Sequence, residues 1–232
     1  MDTATLFDTV SRCYIRADEH WGSDLDVLKS AFNSMIEKRK NPRYLDVGCG
    51  PGFHLEALKR LYPEAAITGI DASKKMVAEA RRRLQRLRLK GQLVQTDVLN
   101  LAAKCDSYDV VSFLNNGLGN VYRSEEIVST DRVEIVSKMR TLLRHGGYVV
   151  MSVYNLNKFD RDYGKRLRVL DSSNIAHGDM YVEYRPQHGS PLVYFSHWFK
   201  PDEVAHLLER GGFRVELLEE RMSRIVVKAR AI

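Results

Sequence analysis

Cysteine is scarce in this 232-residue chain: Cys13, Cys49 and Cys105 lie far apart, with no CxxC pair. Such spacing argues against a zinc site or a redox pair and for free thiols in a reducing compartment. The seven histidines show no HxxxH or similar ligand spacing, so no metal is expected. No run approaches the roughly 18 apolar residues of a membrane span. Residues 1–10 also lack the charged-then-apolar order of a secretion signal. A cytoplasmic protein with no membrane partner is the expectation. Length favours one domain over residues 1–232, and 44% hydrophobic residues are enough to bury a sizeable core.

Positive charge is not spread along the chain. The formal net charge is +6, yet the stretch from Lys74 to Lys90 has eight basic residues against one acid, Glu79. That stretch carries +7 and leaves −1 elsewhere. A run of this kind is usually a solvated helix face, and RNA is the partner that would suit it otherwise.

Apolar spacing alternates between two periods. Leu25, Leu28, Phe32, Met35 and Ile36 mark a helix over residues 24–38, ended by Asn41-Pro42. A short strand over 44–47 meets three glycines in five positions and gives way to helical spacing at Leu55, Leu58 and Leu61. A second strand over 66–71 ends on Asp71. A helix capped by Ser73 then runs to Gly91, with Met76 or Val77, Ala80, Leu84 and Leu87 on its apolar face. Strands follow over 92–96, 108–114 and 148–153, the last preceded by a helix over 131–143. Alternation of this kind specifies a parallel sheet with helices on both faces. Beyond Tyr154 a polar loop to His177 leads into a hairpin of 180–185 and 192–199. Pro201 opens a helix through Leu208, and strands over 213–218 and 225–229 close the chain as an antiparallel pair.

The glycine turn carries the first chemical signal. Glycine after a parallel strand lets backbone approach a ligand closely and presents helix N-terminal amides to it. Here the spacing is Gly48-x-Gly50-x-Gly52 with Phe53 next, so the GxGxxG of dinucleotide binding is not met. Asp71, 19 residues after Gly52, stands where a carboxylate can accept both ribose hydroxyl hydrogens of an adenosine. Asp97 occupies the same row at the carboxyl edge of the sheet.

Three segments strongly resemble class I S-adenosylmethionine (SAM)-dependent methyltransferases. Leu45-Asp46-Val47-Gly48-Cys49-Gly50-Pro51-Gly52 matches the family's first motif, Gly69-Ile70-Asp71-Ala72-Ser73 its second and Gln95-Thr96-Asp97-Val98 its third. The resemblance spans residues 44–153, and residues 197–213 are similar to a late segment of the family. It implies an α/β fold: a doubly wound, Rossmann-like, mostly parallel sheet with a C-terminal antiparallel hairpin. An inserted β-hairpin within 155–199 and an N-terminal helical lid over 1–40 complete the expected architecture. It implies that Asp71 holds ribose, Asp97 and Val98 contact adenine, and backbone from Gly48 to Gly50 receives the methionine part. Gly52, Ala72, Met76 and Asn115 complete the expected cofactor set, with Cys49 contributing backbone only. Asp46 either orients the loop or touches ligand. Asn115 bonds adenine, the methionine amino group or the acceptor, or satisfies its own turn.

Methyl transfer from a sulfonium demands alignment more than a fixed catalytic residue, though an amine or phenol acceptor can need a base such as His or Asp. The acceptor should meet the strand ends at Asn116, Tyr154 and Asn155. Tyr14, His20 and Trp21 are lid candidates, with core packing the competing role of Trp21. His197 and its neighbours in the hairpin are candidates for the opposite wall. The Asp/Asn-Pro-Pro-Tyr/Phe sequence of DNA-base amino-methylating enzymes is missing. A small-molecule N- or O-methyltransferase, monomeric or homodimeric, is therefore expected. The alternatives are an RNA methyltransferase and a non-catalytic SAM-binding subunit.

Overall fold

The computed structural model describes residues 3–14, 24–121, 128–159, 167–171, 177–185 and 191–232. In chain order the elements are α1 (Thr3–Tyr14), α2 (Leu25–Ile36), β1 (Arg43–Val47), α3 (Phe53–Leu61), β2 (Ala66–Asp71), α4 (Lys74–Arg86), β3 (Gln92–Gln95) and β4 (Tyr108–Phe113). There follow α5 (Val128–Leu142), β5 (Leu143–Tyr154), β6 (Leu167–Asp171), β7 (Asp179–Tyr184), β8 (Leu192–His197), α6 (Pro201–Arg210), β9 (Phe213–Arg221) and β10 (Arg224–Ala231). Among the described residues no helix is long and apolar enough to cross a membrane.

Seven strands form one sheet in the order β3-β2-β1-β4-β5-β10-β9. β1 to β5 pair in parallel, and β10 runs antiparallel to both β5 and β9. This is the expected doubly wound sheet with its C-terminal hairpin. Strand order reverses between β1 and β4, and at such a switch point the flanking loops part and leave a crevice at the strand carboxyl ends.

Side-chain alternation sorts the core into two layers. Leu45, Val47, Val111, Phe113, Val149 and Met151 face Ile135, Val136 and Met139 of α5 and Val204 and Leu208 of α6. Tyr44, Val110 and Val150 face Val27, Leu28, Ala31 and Phe32 of α2 and Leu55 and Leu58 of α3. At the opposite, amino-terminal edge, fully buried Asp109 accepts the Arg43 amide at 2.8 Å and pairs with Arg39 and Arg144. Its charge is thus satisfied in the interior, where an unpaired carboxylate is costly.

Several boundaries differ from expectation. α4 stops at Arg86, short of the expected end at Gly91, and Arg88, with φ of 55°, takes the left-handed position just past it. β5 begins at Leu143 because Leu143 already pairs with Tyr108 before a register shift brings Tyr148 opposite Val110. The inserted hairpin is a three-stranded antiparallel sheet, β6-β7-β8. β6 lies in the expected polar loop: its short sequence shows no clear alternation, and pairing with β7 defines it. The insertion has a small core of its own, in which Trp198 packs between Tyr154 and Phe159, with ring centroids 4.9 and 4.8 Å away.

Gly52 joins the glycine turn to the helical layer. It precedes α3 with φ of +83°, and a Cβ there would stand 3.1 Å from the Ala80 Cβ of α4. Gly52→Ala therefore meets both backbone strain and a helix contact, and should cost about 1–3 kcal/mol. A lowered urea midpoint at unchanged m is the expected result.

Candidate active site

A cavity of about 260 Å³ opens at the carboxyl ends of β1, β2, β3 and β4. Gly48 and Gly50 line it from the first turn, Asp71, Ala72 and Met76 from the second, and Thr96, Asp97, Val98 and Leu99 from the third. Phe113, Leu114, Asn115 and Gly117 close the β4 side, while Thr3, Ala4 and Phe7 of α1 lie across it.

Asp71 organises this space. One carboxylate oxygen accepts the Gly50 N–H at 2.9 Å and the other the Ser73 N–H at 2.8 Å. Each oxygen keeps a further lone pair for a ligand hydroxyl. Burial pushes this carboxyl up to about 6, against the pull of the Ser73 and Gly50 amides, and the negative charges of Asp46 and Asp8 add to the rise. Gly50 itself, with φ of +52°, leaves open space where a Cβ would stand. Glycine here keeps backbone amides within reach of a ligand.

Asp97 lines the cavity while its two oxygens accept the Asn100 amide at 3.0 Å and the Asn100 side chain at 2.7 Å. Asp46 is buried beneath the turn, outside the cavity lining, and accepts the Ser112 hydroxyl at 2.6 Å. That hydroxyl also meets Tyr44 Oη at 2.6 Å. Burial raises the Asp46 carboxyl, and its Oδ2 has no hydrogen-bond partner among the described residues.

Of the expected cofactor set, Gly48, Gly50, Asp71, Ala72, Met76, Asp97, Val98 and Asn115 converge on the cavity. Cys49 and Gly52 do not line it. The Cys49 amide donates to the Ile70 carbonyl at 2.9 Å, its side chain is buried, and Gly52 packs on Ala80. The expected acceptor residues disperse. Asn116 is fully buried: its Oδ1 accepts the Tyr154 amide at 3.0 Å, and its Nδ2 lies 3.3 Å from the His197 carbonyl, Ser196 Oγ and Asn120 Oδ1. Tyr154 packs on Trp198.

His197 is also buried outside the lining, with Nδ1 2.6 Å from Asp179 and Nε2 2.7 Å from Glu203. Burial alone would raise Asp179, but hydrogen bonding and charge from His197 and Arg132 outweigh it and hold that carboxyl low. The polar groups of Asn116 and His197 are thus engaged in docking the insertion. The side chain of Tyr14, together with His20 and Trp21, lies outside the described residues.

The α1 contribution had no motif to announce it. Asp8 Oδ1 accepts the Ser73 hydroxyl at 2.5 Å and the Lys75 amide at 3.0 Å, and Thr3 Oγ1 donates to the Asn120 carbonyl at 2.9 Å. The helix is therefore tied at its start to the loop after β4 and at its middle to the start of α4. The Ser73 hydroxyl and Lys75 amide hold the Asp8 carboxyl below its ordinary range.

A family model for a methyltransferase domain matches residues 45–147, from β1 into β5. Among solved structures, a SAM-bound amino pentose methyltransferase from Micromonospora echinaspora superposes with a TM-score of 0.68 at 19% identity, over 97% of each chain. Residues 45–147 thus match a methyltransferase domain, and the chain has the fold of that SAM-bound enzyme. Demethylmenaquinone methyltransferase of Thermotoga maritima is 26% identical over 219 residues, 90% of this chain and 87% of that protein. Malonyl-[acyl-carrier protein] O-methyltransferase of Legionella pneumophila is 40% identical over 87 residues, 35% of this chain. For the first three curated relatives the matched segment spans only 30, 16 and 36% of their length. The likeness to that solved structure is one of fold, and the carboxylates around the cavity suit a cationic ligand.

Removing the Asp8 tie should loosen α1 selectively. Asp8→Ala deletes a helix-start acceptor worth about 1 kcal/mol. Amide exchange in α1 should then speed up about fivefold, with the central strands unchanged. Equal acceleration throughout the sheet would contradict a local tie.

Proposed function

We propose that the protein transfers the methyl group of SAM to a nitrogen or oxygen of a small-molecule acceptor. The observation that carries this reading is the buried Asp71 carboxylate, held by Gly50 and Ser73 amides on the floor of a cavity beside the glycine turn. In this reading Asp71 accepts the ribose hydroxyls, Asp97 and Val98 border the adenine, and Gly48 to Gly50 face the methionine end. Acceptors differ among the relatives, whose names specify a malonyl carrier protein, a menaquinone precursor and an amino pentose. The acceptor would enter on the side of Phe7, Leu114, Val121 and Ile135, an apolar wall that excludes water from the transfer path.

SAM supplies an electrophilic methyl group on a good leaving group. The chain's part is to align that group with the acceptor's lone pair, and alignment of this kind is worth about 7–11 kcal/mol at its best. α1 contributes by covering the cavity with Thr3, Ala4 and Phe7.

A second reading, methylation of RNA, is favoured by one observation: Lys74, Lys75, Arg81, Arg82, Arg86, Arg88 and Lys90 are all exposed. Arg82 pairs with Glu79, while Arg83 is drawn inward onto Glu56 and the Phe53 ring. Incubation with labelled SAM and either a metabolite extract or total RNA separates the two. Label in a small product is expected; label in RNA, lost in Arg81→Gln/Arg82→Gln/Arg86→Gln, would favour the second. SAM binding without turnover on any fraction would point to a partner subunit.

Asp71 must be ionised to accept two hydroxyl hydrogens, and its carboxyl stands at about 6. Calorimetry should find SAM affinity steady above neutrality and falling on acidification through that value, by up to about tenfold per pH unit. Asp71→Ala should weaken binding severely and remove this dependence. Folding stability has the opposite sign: a raised carboxyl contributes most below its ordinary range, and that contribution is lost as pH rises through about 6.

A further inference from the structure

The loop after β4 turns on two consecutive residues in the left-handed region, Asn115 with φ of 54° and Asn116 with φ of 58°. Asparagine tolerates this conformation better than most residues, but two in succession persist only where surroundings hold them. Both amides are held by one residue of β5. Asn115 N–H donates to Ser152 Oγ at 2.8 Å, and Asn116 N–H donates to the Ser152 carbonyl at 2.8 Å. Ser152 is fully buried, and its hydroxyl proton is committed elsewhere: it points to Asp24 Oδ2 at 2.5 Å.

Asp24, fully buried at the start of α2, also receives Arg224 Nη1 of β10 on the same oxygen at 3.2 Å. A hydroxyl whose only proton goes to a carboxylate must present lone pairs to its other neighbours, and charge on the acceptor strengthens the next bond in the chain. The carboxylate therefore fixes the direction of the relay Asn115 N–H to Ser152 Oγ to Asp24. Its outcome is local: Asn115 lines the same cavity as Gly48, just past the carboxyl ends of the paired strands β4 and β1.

We propose that Asp24 is a positioning residue for the methyl-transfer site: through Ser152 it holds the left-handed Asn115-Asn116 turn and so sets the cavity wall facing the methionine end of SAM. This rests on reading the cavity as the SAM site. Burying an Asp–Arg pair is an expensive way to stabilise a fold. Here the pair ties the N-terminal helical segment to a cavity residue more than ninety positions away in sequence.

Calorimetric titration with SAM tests the relay, with thermal unfolding measured on the same samples. Asp24→Asn and Ser152→Ala should each weaken SAM binding by about tenfold in protein that remains folded. In an Asn115→Gly background, where glycine takes the turn freely and the side chain is gone, Asp24→Asn should cause no further loss. A merely structural role would lower the unfolding temperature and leave the dissociation constant of the folded protein unchanged; that result overturns the proposal, as does full additivity with Asn115→Gly. Should Asp24→Asn fail to fold, Ser152→Ala, which keeps the Asp24–Arg224 pair, carries the test. Absence of SAM binding by the unaltered protein would overturn the reading of the cavity and the relay together, whereas unaltered affinity in the variants overturns the relay alone.

Discussion

A single buried carboxylate draws one side of the cavity together. Asp71 ends β2, yet its two amide donors come from the turn after β1 and from the first turn of α4. A carboxylate removed from water needs such donors, and meeting that need brings the glycine turn and the α4 N-terminus to one point. The cavity is the space their meeting leaves. Burial, with the charges of Asp46 and Asp8 adding to it, raises the Asp71 carboxyl to about 6, which makes a positively charged ligand the natural complement.

The opposite wall rests on a loop held from two directions. From the N-terminal side, Asp24 and Ser152 fix the Asn115 amide. From the insertion side, Ser196 and the His197 carbonyl meet the Asn116 side chain, and His197 is itself gripped between Asp179 and Glu203. The β4 wall of the cavity therefore depends on segments that flank the sheet. The wall around Asp71 depends on turns within it.

What could be read along the chain was what short-range physics controls. Short apolar runs in β1 and β4 and helical spacing in α2 reflect burial on one face or both, so they survive into the fold to within a residue or two. Glycines at 48, 50 and 52 signal positive φ, and all three have it. β6 escaped because five residues without clear alternation become a strand only through a partner. The end of α4 escaped because Arg88 took a conformation that propensity reserves for glycine.

The cavity residues divide the same way. Gly48, Gly50, Asp71 and Asp97 were legible because strand, turn and helix succeed one another within some fifty residues, and the sheet can place their ends in only one row. Asn116 and His197 looked equally available as polar residues near strand ends, but burial turned their hydrogen bonds inward to the insertion. Asp8 and Asp24 carried no local sign at all. Their partners, Ser73 and Ser152, are 65 and 128 positions away. The sequence by itself determined the fold class and the cavity-lining row of glycines and carboxylates, because these follow from local periodicity and turn chemistry. Only the tertiary structure decided which polar residues face the cavity and which hold its walls, because a hydrogen bond between distant segments is set by packing and leaves no periodic trace in the chain.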